Sequence, residues 1–368
     1  MEFIIGGQTI QIESLDPTID DQFTLLHAAY FGREALKWAS FETAAKTFFD
    51  KYTDPKSSLH DMYFNNFTVI WRSYLHARNY DGAEDIWSKA LSTALSWESQ
   101  NPGKRIHKDT PYYFWGMTAL ERGDLDKGYA LMHQAVAEDT LTHGGQYPAS
   151  PAFAFASLNY AEPAQAFRDW LYRQMIYIDS RQNAYSATYG RPFILDDFKN
   201  KFLLNPPTVD IGFLFAYSIA RLMPLSKLPI HALASGFAAQ LEATLLFDLT
   251  LVIDGTLKAK NPGEWKFANH AGFLLRAVAQ PLTDQELGEV NQAFKADFDA
   301  TLKAIADGTF VVSGTKRLSQ AQRDVSLAYG MRNRGAHDVT SVPTVWTRFA
   351  DIEQALFNVL YLAVDFLY

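Results

Sequence analysis

Cysteine is missing from all 368 residues. Its absence excludes a disulfide framework, a thiolate zinc site and a thiol nucleophile. Basic charge is in short supply as well: 33 Lys and Arg face 41 Asp and Glu, a formal net charge of −8. Generic nucleic-acid binding rests on neutralising phosphates, so contact with RNA would have to use a local basic patch. Long apolar runs are also scarce. The most apolar stretch, Ile352 to Tyr368, carries Glu353 and Asp365. It has about 17 residues where a membrane span needs roughly 20, so it reads as a buried core helix. The N-terminal MEFIIGGQTIQIE lacks a basic start and its apolar residues are interrupted by Gly6 and Gly7, which is not a secretory signal pattern. The expectation is a cytoplasmic protein with no membrane partner.

Most familiar catalytic signatures are absent too. There is no Walker loop, no Gly-rich dinucleotide fingerprint, no His-Glu-x-x-His and no nucleophile elbow. No cofactor is implied. His27, His76, His133 and His231 fall within helical patterns, His60, His107 and His143 lie near loops, and His270 lies on a helix face. None of them reads as a metal ligand from its spacing.

What is present favours a helical protein. Hydrophobic residues make up 48% and aromatics 14%, enough to bury a sizeable core and too much for long disorder. Residues 1–14 alternate around Gly6-Gly7 and suggest a short hairpin or extended arm. Helical periodicity takes over from about residue 17. Phe67, Trp71, Tyr74 and Leu75 form one apolar stripe, a turn follows at Ala77 to Gly82, and Ala83, Trp87, Ala90 and Leu91 continue on a second helix. Trp115, Gly116, Ala119 and Leu120, followed by Gly128, Met132, Ala135 and Val136, repeat the plan. Small residues at Gly116, Gly128 and Ala135 let two backbones approach closely.

These hairpins resemble tetratricopeptide repeats. Trp71 and Gly116 stand 116 − 71 = 45 residues apart, against a repeat of ~34, and a longer linker from Ser99 to Thr110 accommodates the excess. Phe41 to Phe49 is a weaker third unit. Well-packed helical hairpins without repeat ancestry fit the same residues. A long helix from Ala164 to about Tyr185 carries a core stripe of Phe167, Trp170, Leu171 and Met175. The Gly- and Pro-containing segment 187–208 places a domain boundary there, giving a helical-repeat-like domain over 1–205 and a helical bundle over 206–368. Bundle helices are expected at 210–223, 230–253, 264–279, 283–307, 318–334 and 343–368, with Thr283 and Glu286 as a capping box, Pro343 in a first helical turn and a short hairpin at Thr309 to Gly314. The fold class is all-α.

One segment stands out chemically: Leu327-Ala328-Tyr329-Gly330-Met331-Arg332-Asn333-Arg334-Gly335-Ala336-His337-Asp338. Arg332 and His337 enclose four residues, and Asn333 follows the arginine. An imidazole both accepts and donates protons near neutral pH, and a guanidinium grips phosphate oxygens in a fork. On an unbroken helix the two would lie about 140° apart, so Gly335 is expected to end the helix and turn His337 back. Between Lys316 and Arg348 lie six basic residues, Lys316, Arg317, Arg323, Arg332, Arg334 and Arg348, opposed in sequence by Asp324 and Asp338. This basic island could focus a phosphate backbone.

The Arg-x4-His motif at the end of a long helix resembles that of HEPN domains. The resemblance implies a metal-independent endoribonuclease, with His337 as general acid or base, Arg332 stabilising charge on the phosphate and Asn333 positioning one of them. It implies attack by the 2′-hydroxyl, leaving 2′,3′-cyclic phosphate and 5′-hydroxyl ends. Arg334, Arg323, Arg348, Lys316 and Arg317 would bind RNA. It further implies a homodimer through the C-terminal bundle, with two motifs in one cleft, and a role as a toxin or antiviral defence effector. The alternative is a non-catalytic adaptor whose N-terminal hairpins bind a protein and whose bundle dimerises.

Overall fold

A computed structural model of the chain describes residues 2–5, 7–145, 150–159, 167–225, 236–337 and 343–368; for residues 2, 3, 5, 8, 225, 236–240 and 335–337 it describes the backbone only. The fold is all-α with two small antiparallel hairpins. The chain divides into two compact units, one of residues 1–155 with 161–165, the other of 156–160 with 166–368.

The N-terminal unit opens with the hairpin β1 (Glu2–Ile5) and β2 (Gln8–Gln11), joined through Gly7 at a φ of 79° that glycine adopts without strain. Helices α1 (Pro17–Gly32), α2 (Trp38–Lys51), α3 (Ser58–Asn65), α4 (Thr68–His76), α5 (Tyr80–Gln100), α6 (Asp109–Arg122) and α7 (Leu125–His143) follow. α1 starts where Asp16 accepts from the Thr18 amide and Pro17 fits the first turn. The expected aromatic stripes form the core. Phe23, Phe41, Tyr63, Phe67 and Trp87 are buried, and the Phe23 ring meets Phe41 and Phe67 edge-on at 5.0 and 5.1 Å. Burial of each such ring contributes roughly 1.5–3 kcal/mol. Buried indoles still need acceptors: Trp71 Nε1 donates to Thr118 Oγ1 and Trp97 Nε1 to Asp50 Oδ1, both at 2.8 Å.

α6 and α7 pack along each other as the hairpin expected from the small residues. A methyl group at Gly116 would sit 3.2 Å from the Gly128 carbonyl, so the glycine is what lets the two backbones come this near.

The C-terminal unit contains α9 (Arg168–Tyr189), after a short α8 (Pro151–Ala156) at the division, then α10 (Leu195–Phe198), α11 (Val209–Leu225), α12 (Gly236–Lys260), α13 (Phe267–Ala277), α14 (Asp284–Ala296), α15 (Phe298–Ala306), the hairpin β3 (Val311–Val312) and β4 (Lys316–Arg317), α16 (Gln320–His337), α17 (Pro343–Thr347) and α18 (Phe349–Leu367). α18 is the axis of the bundle, packed by α9, α12 and α16. Ile352, Leu356, Phe357, Val359, Leu360, Tyr361 and Leu362 are all buried, which is why the stretch is apolar around its whole circumference. Among the described residues no helix is long and apolar enough to cross a membrane.

Three expectations are corrected. The division falls near residues 156–166 rather than at 205, because α9 belongs to the bundle. Arg181 and Tyr177 both donate to the buried Glu353 of α18, and Tyr189 donates to Asp324 at 2.7 Å. The Gly- and Pro-containing segment after α9 is not a solvated linker either, since its Phe193, Phe198 and Phe202 are buried. Second, the helix expected at 283–307 is two helices. Asp297 takes an extended conformation (φ −152°, ψ 101°) and caps α15 by accepting from the Ala300 amide. The capping box of Thr283 and Glu286 opens the first of them as expected. Third, the helix expected at 343–368 breaks at Arg348. The expected helix start at residue 230, and His231, lie outside the described residues.

Candidate functional site

α16 carries the Arg-x4-His motif in its last turns. Its Val325, Leu327, Ala328 and Met331 are buried, and Gly330 makes room for Phe294: a methyl group there would lie 2.4 Å from that ring. The helix runs through Gly335 to His337, so the glycine does not end it, and one helical glycine costs only about 1 kcal/mol relative to alanine. The backbone positions of Arg332 and His337 therefore lie about 140° apart around the same helix. The His337 side chain, like Asp338, lies outside what the structure describes.

Arg332 is half-buried. Its Nη2 lies 3.4 Å from Oδ2 of Asp254 on α12, and its Nε–H is buried with no hydrogen-bond partner among the described residues. Guanidinium–carboxylate bonds are normally ~2.7–2.9 Å, so this pair is loose and the fork keeps a donor in reserve. Asp254 also lies 4.0 Å from Nε2 of the buried His270. Sequence reasoning passed over Asp254 and His270, whose helices approach Arg332 only through tertiary packing. Asn333 and Arg334 are half-buried beside it, and the Arg334 guanidinium lies 5.1 Å from the centroid of the Phe298 ring.

The remaining residues of the basic island are not gathered around Arg332. Arg323 and Arg348 line a groove of about 180 Å³ together with Gln320, Asp324, Asp351 and Asn358. There Arg323 donates to Gln320, and Arg348 pairs with Asp307 and, at 2.5 Å, with Asp351. Asp324 is buried and accepts from Tyr189, Asn358 and Gln320 at 2.7, 2.8 and 2.8 Å. Burial is the main influence on its carboxyl and pushes it up to about 6 despite those donors. Lys316 on β4 pairs with Glu286 at 2.7 Å, while Arg317 is exposed. Half of the island's cations thus meet carboxylates: Glu286, Asp254 and Asp307 reach Lys316, Arg332 and Arg348 from other segments, and Asp351 reaches Arg348 from three residues on.

A second concentration of ionisable groups lies in the N-terminal unit. His107, in the segment between α5 and α6, is buried. Its Nδ1 is 3.1 Å from Asp61 on α3 and 3.5 Å from Asp109 on α6, and its Nε2 is 3.1 Å from Asp139 on α7. The backbone fixes the ring's position: the His107 amide donates to Nδ1 of His60, whose own Nε2 lies 2.7 Å from the Tyr52 carbonyl. His143, exposed near the end of α7, meets the His107 ring at 5.8 Å between centroids. One ligand-capable atom from each of His107, Asp139 and His143 falls within 4.8 Å of the other two.

This cluster holds more negative charge than it neutralises. The adjacent cations are engaged elsewhere: Lys108 lies 2.6 Å from Glu98 and 3.4 Å from Glu138, and Arg105 is 2.8 Å from Glu138. Burial raises the Asp109 carboxyl to about 7, against the opposing pull of His107. His107 is raised as well, to about 10: its burial, which alone would lower it, is outweighed by hydrogen bonds to Asp139 and Asp61 and by the charges of Asp109 and Asp61. The sequence reading gave these histidines no metal-ligand spacing. Asp139 and His143 stand four apart on one helix and so share a face, a signal that was available; the approach of His107 and Asp61 was not.

A scan against protein-family models and searches of curated proteins and of solved structures return no match.

Proposed function

We propose that the C-terminal unit is a metal-independent endoribonuclease of HEPN type, acting through Arg332 and His337. The observation that carries this reading is the state of Arg332: half-buried at the motif end of α16, loosely paired with Asp254, with a buried Nε–H donor unused. Such a guanidinium suits an incoming phosphate oxygen, which would satisfy the donor and strengthen as charge develops in the transition state. His337 would take the proton of the 2′-hydroxyl or return one to the leaving oxygen. The two positions lie about 140° apart around one helix, which supports a cleft that takes Arg332 from one copy and His337 from another, in a homodimer through the bundle. Cytoplasmic action on RNA, as a toxin or defence effector, belongs to the same proposal.

The test is incubation of the full chain with labelled structured and unstructured RNAs in EDTA, wild type beside His337→Ala. Cleavage by the wild type alone, leaving 2′,3′-cyclic phosphate ends, is the expected result. A second reading, a non-catalytic adaptor that dimerises through the bundle, is favoured by the carboxylate partners of Lys316, Arg332 and Arg348, which weaken the field available to RNA. Intact RNA in every lane, with a dimer still present, would select it.

A further inference from the structure

We propose that His107, Asp139 and His143 form a binding site for a divalent transition-metal ion, with Asp61 and Asp109 holding His107 in the ligating orientation. The site lies in the N-terminal unit and uses none of the residues assigned to RNA cleavage.

Three observations converge on it. The donor set is of the right type: two imidazoles and one carboxylate suit zinc and its neighbours, which take imidazole nitrogen at ~2.0–2.1 Å and carboxylate oxygen at ~2.0–2.2 Å. The three ligand atoms already fall within 4.8 Å of one another, so modest side-chain rotation brings them around one ion. The second observation is an orphaned acceptor. Asp139 is 2% exposed, and its Oδ2 is buried with no hydrogen-bond partner among the described residues. A buried carboxylate oxygen without a donor is costly, and a cation between it and the imidazoles would satisfy it.

The third observation is the environment of the other ring nitrogen. His107 Nδ1 faces Asp61 at 3.1 Å and Asp109 at 3.5 Å. A proton held on Nδ1 by these carboxylates directs the Nε2 lone pair toward Asp139 and His143. Metal-bound histidines commonly carry this carboxylate–imidazole–metal arrangement, which fixes the tautomer and raises ligand basicity. Charge agrees with the assignment. Asp61, Asp109 and Asp139 bring three carboxyl groups around the ring, while Lys108 and Arg105 are committed to Glu98 and Glu138, so a divalent ion would supply positive charge that no free cation among the described residues there provides. Three protein ligands leave a fourth position for water, and the exposed His143 marks the solvent side.

The experiment uses the full chain, stripped with a chelator and dialysed free of it, then titrated with Zn²⁺ by calorimetry and with Co²⁺ by visible absorption. The expected result is one equivalent of either ion, intense Co²⁺ ligand-field bands that Zn²⁺ abolishes, and a rise in melting temperature on Zn²⁺ addition. His143→Ala changes an exposed residue and should fold, yet bind Zn²⁺ at least about tenfold more weakly; Asp61→Asn should weaken binding by a similar factor through the imidazole. Failure of the wild type to bind a stoichiometric ion, or equal affinity in folded His143→Ala, would overturn the assignment. His107 would then stand as an imidazolium bridging Asp61 and Asp139.

Discussion

Arg332 and His337 stand five residues apart on one uninterrupted helix, which sets their backbone positions about 140° apart around its axis. On the proposed reading they act together across a two-fold axis. Arg332→Ala and His337→Ala should each abolish RNA cleavage alone. Mixed under conditions that exchange subunits, the two inactive variants should recover about a quarter of wild-type activity, since half of the dimers are mixed and each has one intact cleft. Gel assay of labelled RNA reads the result. No recovery from a mixture shown to exchange would place both residues in one copy or in none.

Asp324 should make stability depend on pH in an unusual sense. Its carboxyl is raised in the folded state from 3.8 to about 6, chiefly by burial. Below the lower value both states are protonated. Between the two, the unfolded chain has lost a proton that the folded chain retains, so stability falls as pH rises through this window and levels off above it. The loss amounts to about 3 kcal/mol. Denaturant unfolding of wild type and Asp324→Asn from about pH 4 to about pH 7 checks it. The stability difference between them should narrow or reverse as pH rises, and a pH-independent difference would refute the assignment.

Gly330 and Phe294 make a complementary pair. A methyl group at Gly330 would lie 2.4 Å from the Phe294 ring, which is itself buried. Alanine is the better helix former by about 1 kcal/mol, yet Gly330→Ala should destabilise the protein by about 1–3 kcal/mol through overpacking. Adding Phe294→Leu should return part of that loss. A stabilised Gly330→Ala variant in thermal melts would show that the ring moves aside freely.

Glu353 joins α9 to the centre of the bundle. It is fully buried and accepts from both Arg181 and Tyr177. Glu353→Ala should cost about 3–5 kcal/mol, because it strands a largely buried guanidinium, whereas Arg181→Met with Glu353→Leu should recover most of the loss. Chemical denaturation of the three proteins measures this. For the same reason a fragment of residues 206–368 should fail to fold cooperatively, lacking the helix that carries Tyr177 and Arg181.

Much of the architecture was legible locally. The stripe of Phe67 and Trp71, the capping box at Thr283 and Glu286, and the small residues Gly116 and Gly128 are features of neighbours a few positions apart, and each appears in the fold. The candidate sites were much less so. Arg332 was visible as a residue, but its restraint by Asp254, 78 positions away, was not. In sequence the basic island is opposed by Asp324 and Asp338 alone, because other counter-charges, such as Glu286 for Lys316, come from distant helices. The buried charge cluster was missed because His107, Asp61 and Asp139 come from three separate segments.

The sequence by itself determined that this is a helical protein, where some of its helices start, as at Thr283, which faces are apolar, and that its last helix is a core element. These follow from periodicity and capping, which act over one or two turns. The tertiary structure alone decided that α9 belongs with the bundle, which charges meet, and which buried oxygens lack a donor. Those outcomes depend on contacts between residues tens to hundreds of positions apart, such as Arg181 with Glu353. Only when the helices pack do water and solvent screening leave, and then each ionisable group takes its character from its neighbours in space.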